Sequence, residues 1–272
     1  MNQICQLRQA QLYIAEEIKR VCKNNGISFF LDCGSMLGAV RHKGFIPWDD
    51  DMDIGMTKEN YDHFIAIASD QLRDDFFIDN GLIDPKYPFV FSKVRLKGTV
   101  YIEKKGSKKW QHNEIFVDIF PYFFVPDEYN KWKIDALLLW FPGQALLYKA
   151  GCKVWSGDSF IKRFKYIPAI LVGSLLSFET LRKLIAKYSS KYYNTNYYCI
   201  LDGSYKSYRK WIIPKELFEA FIEVDFEGHK FPIPVRYHEY LTITYGDYQV
   251  IPPKEKQVTH LIEELDLGEY FF

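Results

Sequence analysis

The chain has 272 residues, 48% hydrophobic and 18% aromatic, enough for one large domain or two small ones with a substantial core. Its 35 basic and 35 acidic residues cancel, so the basic excess of a general nucleic-acid binder is missing and no nucleic-acid partner is expected. Five cysteines (Cys5, Cys22, Cys33, Cys152 and Cys199) without a CxxC pair argue against a disulfide framework or structural zinc. The charges spread through residues 1–25 argue against an ordinary secretory signal, so a reduced, cytoplasmic protein is expected.

Ile4, Leu7, Ile14, Ile18 and Val21 recur at helical spacing, which predicts an amphipathic helix over 4–24 ending near Asn24-Asn25-Gly26. ISFFLDC (27–33) reads as a buried strand, GSMLGAVRHKG as a turn into a short helix, and DDMDIGM as a second strand. A helix capped by Thr57 follows. Further strands are predicted at 89–96, 99–103 and 114–120, the last ended by Pro121. After Pro126 the composition shifts. Segments 131–148 and 161–178 are apolar, aromatic, interrupted by proline and flanked by Lys or Arg, and helical character continues to about 210. From Pro214 short elements return: a helix near 215–222, strands around 223–232 and a helix at 236–245.

The acidic run Asp49, Asp50, Asp51 and Asp53 is the feature that needs an explanation. In a strand, Asp51 and Asp53 share a face while Met52 and Ile54 take the other. Two such carboxylates beside a core are unfavourable unless positive charge lies between them, and a divalent cation with phosphate oxygens supplies it. A calcium loop is rejected, because Ile54 stands where Gly is needed and Asn60 where Glu is needed. A solvated acidic turn and the DxD of a sugar-nucleotide transferase both remain compatible with this cluster taken alone.

The surroundings narrow the choice. Gly34-Ser35 opens a helix and offers main-chain N–H groups to a phosphate. Arg41, His42 and Lys43 bring positive charge before the acidic run, and Asp118 sits inside the apolar strand EIFVDIFP, where it needs a partner. Lys93 and Arg95 alternate with apolar residues, so both can face one cleft. His238-Glu239 begins like a zincin helix but lacks the second His, since Thr242 stands there. His260 reads as a surface residue. Trp48 is the aromatic candidate for a quaternary ammonium group; Tyr87, Phe89, Trp110 and Tyr122 read singly as core.

Gly-Ser, D-x-D and a later strand Asp together resemble the nucleotidyltransferase superfamily pattern. The ordered set LDCGSMLGAVRHKGFIPWDDDMDIGM, SKVRLKGTVYIE, EIFVDIFP and YLTITYGDYQVIPP resembles the LicD family, distantly related to the fukutins, over most of 10–126 and 232–260. The resemblance implies an α+β fold, with a nucleotidyltransferase-like mixed-sheet core over 1–126. A helical, aromatic-rich insertion over 127–212 and a C-terminal segment over 213–272 complete the expected organisation. It implies transfer of phosphocholine from CDP-choline to a hydroxyl of a cell-surface or lipid-linked glycan of the teichoic acid type. Asp51, Asp53 and Asp118 would bind Mg²⁺ or Mn²⁺, as two ions. Gly34, Ser35, Arg41, His42, Lys43, Lys93 and Arg95 would meet the donor diphosphate, and Asp118 would take the acceptor proton. Transfer of another phosphoalcohol or a nucleotidyl group is the alternative activity, and an inactive binding member of the family the alternative class. Segments 131–148 and 161–178, with Trp132, Trp140, Phe164 and Tyr166 and flanking Lys131, Lys133, Lys162, Arg163 and Lys165, are expected to lie peripherally on the inner face of a membrane or to pack as a helical subdomain.

Overall fold

The computed structural model describes all residues except 1–2, 104–111, 153, 155–163, 165 and 258–261. Trp110, Lys162, Arg163, Lys165 and His260 therefore lie outside the described residues.

The chain is α+β. Helix α1 (Gln3–Asn24) buries Leu7, Ile14, Ile18 and Val21 and ends before Gly26, whose left-handed φ of 65° favours glycine. The predicted strand at 27–33 is reduced to β1 (Phe30–Leu31), because Asp32 caps α2 (Cys33–His42) through a hydrogen bond from the Cys33 N–H, 2.8 Å. Strand β2 (Asp53–Thr57) leads into α3 (Lys58–Gln71). Thr57 stands at the cap position, yet its hydroxyl accepts from the Asn60 side chain rather than from the helix backbone. Then come β3 (Phe76–Asp79), which the sequence reading lacked, β4 (Ser92–Leu96), β5 (Val100–Glu103) and β6 (Phe116–Val125).

Pro121 does not end β6. Strand β4 pairs with β6 as far as Ile119, and β7 (Tyr197–Ile200) takes over that edge from Tyr122. Pro121 falls between the two partners, where its missing N–H costs no ladder bond, and its carbonyl accepts from the Leu201 N–H at 2.9 Å. The sheet runs β1-β2-β6-β4-β3, with β7 and then β8 (Ile212–Pro214) added along the far half of β6. The β2–β6 pair is parallel and its neighbours are antiparallel.

Residues 127–212 contribute α4 (Tyr129–Lys149), α5 (Ile167–Leu175), α6 (Phe178–Ser189), β7 and α7 (Tyr205–Lys210). Their apolar faces form a second core around Trp132, Leu139, Trp140, Leu146, Leu181 and Tyr208. Trp132 and Trp140, expected to face a membrane, are 1% and 8% exposed. Trp132 packs on Phe123, and Trp140 on Tyr166 and Tyr205. The outward face carries Ile134, Leu137, Leu138, Phe164, Ile167, Leu171 and Leu175 instead. The C-terminal part adds the hairpin β9 (Phe221–Phe226) and β10 (His229–Pro234), helix α8 (Tyr237–Tyr245) and β11 (Ile262–Asp266), which pairs with β5. The helix predicted near 215–222 is a single 3₁₀ turn, Lys215–Phe218.

Candidate active site

The parallel register of β2 and β6 sets Asp53 directly beside Asp118, and each is 8% exposed. Asp51 precedes the strand, half-buried, while Met52 and Ile54 are fully buried on the other face. Burial, then the charges of Asp51, Asp118, Asp49 and Asp32, pushes the Asp53 carboxyl well above the ordinary carboxylate range. Asp51 is raised the same way, by burial and then by Asp49. The acidic run is thus a concentration of negative charge held against the core, as an oxygen-ligand site for a hard cation requires.

Two glycines make the approach of these elements possible. A Cβ at Gly34 would lie 2.6 Å from Asp49 Oδ2, so a larger residue there would displace the Asp49 carboxylate from the start of α2. Gly55 stands opposite Phe30, whose ring would lie 2.4 Å from an added Cβ. Ser35 lies in the first turn of α2, 3% exposed, and its hydroxyl accepts from the Asp53 N–H at 2.9 Å. That contact fixes the strand end carrying Asp53, so Ser35 positions a carboxylate as well as standing among free helix-start N–H groups.

The remaining predicted residues are distributed unevenly. Asp50 is 1% exposed and accepts from the Tyr101 hydroxyl at 2.6 Å, so it is structural. Arg41 donates to the Tyr248 carbonyl at 2.7 Å and to His42 Nε2 at 2.9 Å, with its guanidinium 6.0 Å from the Trp48 ring. His42 meets the same ring edge-on at 6.2 Å, so Arg41, His42 and Trp48 form one half-buried cluster. Lys43 is exposed and closes α2 in the left-handed conformation, φ 60°.

Lys93 and Arg95 share a face as expected but do not reach an open cleft. Lys93 stands opposite Asp118 in the β4–β6 register, donates to its carboxylate, and is enclosed by the rings of Phe116 (3.4 Å), Phe89 (5.2 Å) and Phe91 (5.3 Å). Burial pulls its ammonium below the ordinary lysine value, while Asp118 pulls it back. Asp118 is raised by burial and lowered by Lys93 and Arg95, with a net upward shift. Arg95 is 2% exposed and donates to Asp79 Oδ2 at 2.7 Å and to the Glu114 carbonyl at 2.9 Å. The Arg95 fork holds β4 to β3, and the diphosphate contact expected of it stays an expectation.

Asp118 is engaged by Lys93, and the three carboxylates are not gathered as a cage. Among the described residues no group of three His, Cys, Asp or Glu side chains is close enough to hold a metal ion. Asp51 and Asp53 fit a hard cation by the chemistry of their oxygens, and Lys93 takes only Oδ1 of Asp118, so Oδ2 would be the third oxygen donor.

The sequence reading passed over Asp32. It is buried, accepts from the Tyr122 hydroxyl at 2.9 Å and from the Tyr240 hydroxyl, and burial pushes its carboxyl up to about 6. The signal was present: a carboxylate ending an apolar strand, the same argument that singled out Asp118. Tyr240 and Tyr245 bring the YLTITYGDY segment to the site. Tyr240 is fully buried and Tyr245 is 39% exposed. Asp202, between β7 and α7, also acts electrostatically on Cys33 and Asp32, and burial pushes it up to about 7.

A family model described as "LicD/FKTN/FKRP, nucleotidyltransferase domain" matches residues 26–144. The chain is 32% identical over 267 residues to the lipopolysaccharide cholinephosphotransferase LicD of Haemophilus influenzae, covering 95% of this chain and 97% of that protein. It is 27% identical over 117 residues to the mouse ribitol 5-phosphate transferase FKRP, covering 43% of this chain and 20% of that one. An uncharacterised Rickettsia typhi protein is 38% identical over 65 residues, 24% and 21% of the two chains. An α+β fold with carboxylates at paired strand ends, alike over nearly the full length of a transferase, is that of a phosphotransferase enzyme. More particularly, the chain belongs to the LicD family.

Proposed function

We propose that this enzyme transfers phosphocholine from CDP-choline to a hydroxyl of a cell-surface glycan or its lipid-linked precursor. The observation that carries the reading is the near full-length likeness to a cholinephosphotransferase. That relative acts by its name on lipopolysaccharide, which favours an acceptor of that kind over the teichoic acid expected from the sequence. The mouse relative, named a ribitol 5-phosphate transferase, keeps the class of cargo a phosphoalcohol.

In the reaction, the acceptor oxygen bonds to the choline-bearing phosphorus, the bond from that phosphorus to the bridging oxygen breaks, and CMP leaves with the electron pair. Asp51 and Asp53, with Asp118 as third carboxylate, would hold Mg²⁺ or Mn²⁺, as one or two ions. When bound, such ions neutralise the charge that develops on the phosphate oxygens. Gly34 and Ser35 bring the start of α2 towards the diphosphate, with Arg41 and His42 at the other end of that helix. Asp118, raised by burial, takes the acceptor proton.

No described helix is long and apolar enough to cross a membrane. The outward row of Ile134, Leu137, Leu138, Ile167, Leu171 and Leu175, beside exposed Lys131 and Lys133, supports peripheral contact with the inner face of a cell membrane, where a lipid-linked acceptor would be met. The activity is tested by incubating the purified protein with Mg²⁺ or Mn²⁺ and a panel of CDP-alcohols and NTPs. CMP release with CDP-choline in the presence of glycan supports the reading; pyrophosphate release from NTPs replaces it with nucleotidyl transfer.

A further inference from the structure

A cavity of about 550 Å³ opens among α4, α7 and the loop that joins β7 to α7. It belongs to the segment for which the sequence offered no motif. Three cations, Lys206, Arg209 and Lys210, stand among its lining residues, and among the described residues no carboxylate does. The Arg209 guanidinium lies 5.8 Å from the Tyr205 ring and reaches the Tyr129 hydroxyl at 3.5 Å, so it is held over the opening by aromatic neighbours. This charge selects an anionic ligand.

The aromatic walls select its shape. Trp140 meets Tyr166 with centroids 5.6 Å apart and planes 50° apart, and meets Tyr205 at 5.6 Å and 47°. Rings tilted like this leave no parallel slot for a planar base. They present separate apolar faces, which suit the C–H faces of a puckered sugar, with Gln144 and Ser204 as polar lining groups. Gln144 also donates to the Gly203 carbonyl at 3.1 Å, which ties the loop to α4.

Location supplies the third argument. The loop that lines the cavity follows β7, and the Leu201 N–H at its start donates to the Pro121 carbonyl of β6 at 2.9 Å. Gly203 and Ser204 therefore extend from the neighbour of the strand that carries Asp118, three residues before Pro121.

We propose that this cavity is the acceptor subsite, and that it takes an anionic sugar unit, bearing phosphate or carboxylate, of the glycan that receives the phosphoalcohol. The assignment rests on the transferase reading given above. Glucose 6-phosphate is the probe, titrated into the full chain by calorimetry, with glucose, inorganic phosphate and CMP as separate arms. Saturable binding of glucose 6-phosphate is expected, weakened about tenfold by Arg209→Ala and by Tyr205→Ala, since each removes one charged or aromatic contact. Lys206→Glu, at an exposed side chain, replaces Tyr205→Ala if that variant melts early. Binding should persist in Asp53→Asn and resist displacement by CMP, so a failed transferase reading and a failed subsite are seen in separate measurements. Three results would overturn the proposal: no saturable binding, inorganic phosphate binding as tightly as the sugar phosphate, or displacement by CMP.

Discussion

Lys93 donates to Asp118 at the one position on β6 that stands beside Asp53. The ammonium sits within a ring of phenylalanines and offsets the charge of Asp118. Lys93→Met removes this internal counter-ion and leaves a buried carboxylate. Stability without metal should fall by about 3 kcal/mol at neutral pH. Added Mg²⁺ should then raise the melting temperature more than it does for the native chain, because Asp118 is released to the ion. Equal metal-induced shifts in the two proteins would show that Asp118 is not a ligand.

Asp32 gives a pH dependence with a definite sign. Its carboxyl is raised from 3.8 to about 6, first by burial. The folded state therefore binds the proton more tightly than the unfolded chain does. The contribution is complete below about pH 4 and is lost as pH rises through about 6, a change of about 3 kcal/mol. In EDTA, the melting temperature of the native chain should fall between pH 4 and 7, and Asp32→Asn should flatten part of that fall. An unchanged pH profile in the variant would remove Asp32 from the account.

Arg95 and Asp79 form an ion pair in which the side chains are 3% and 2% exposed. Either Arg95→Met or Asp79→Asn should destabilise the fold by about 3 kcal/mol, because each strands a buried charge. The double variant should cost less than the two together by at least about 1 kcal/mol. Urea unfolding of the four proteins measures the cycle. CDP-choline affinity of folded Arg95→Met, followed by titration, should match the native chain. A selective loss of donor affinity without loss of stability would return Arg95 to the diphosphate.

The outward apolar row predicts membrane partition. Leu171 is 58% exposed and Ile134 is 65% exposed. Leu171→Glu and Ile134→Glu should each weaken flotation with anionic vesicles by roughly thirtyfold at low salt, since an apolar side chain in the interface contributes about 2 kcal/mol. Native protein that stays with the soluble fraction would return both helices to a purely structural role.

Much of the site was legible because its chemistry is local. Gly34, Ser35, Asp51 and Asp53 lie within one strand–helix–strand stretch, and Asp118 stood out as a charge inside an apolar run. What could not be read were the partners. Strand alternation placed Lys93 and Arg95 on one face, but nothing in SKVRL shows that Asp118 and Asp79 both stand across from Lys93 in the register, or that Arg95 reaches Asp79 with its side chain. The same holds for Asp32, whose tyrosine donors lie 90 and 208 residues away. Strand β3 was missed because a four-residue FFID run carries little periodicity. Strand β7 was hidden among the tyrosines of a segment that otherwise reads as helical, and Pro121 misled because its tolerance depends on where β4 stops and β7 begins.

Asp53 of β2 and Asp118 of β6, with Asp51, should drive phosphoalcohol transfer by holding a divalent cation. The most direct measurement follows CMP release and the mass of the glycan together, using CDP-choline, lipopolysaccharide and Mg²⁺, with native protein and Asp53→Asn side by side. The account predicts CMP and phosphocholine-bearing glycan in equal amounts from the native chain, and neither product in EDTA. Asp53→Asn should fold with a metal-free melting temperature at or above the native one, because one of several repelling charges is gone, and should give no product. Undiminished transfer by Asp53→Asn, or by the native chain in EDTA, would contradict it.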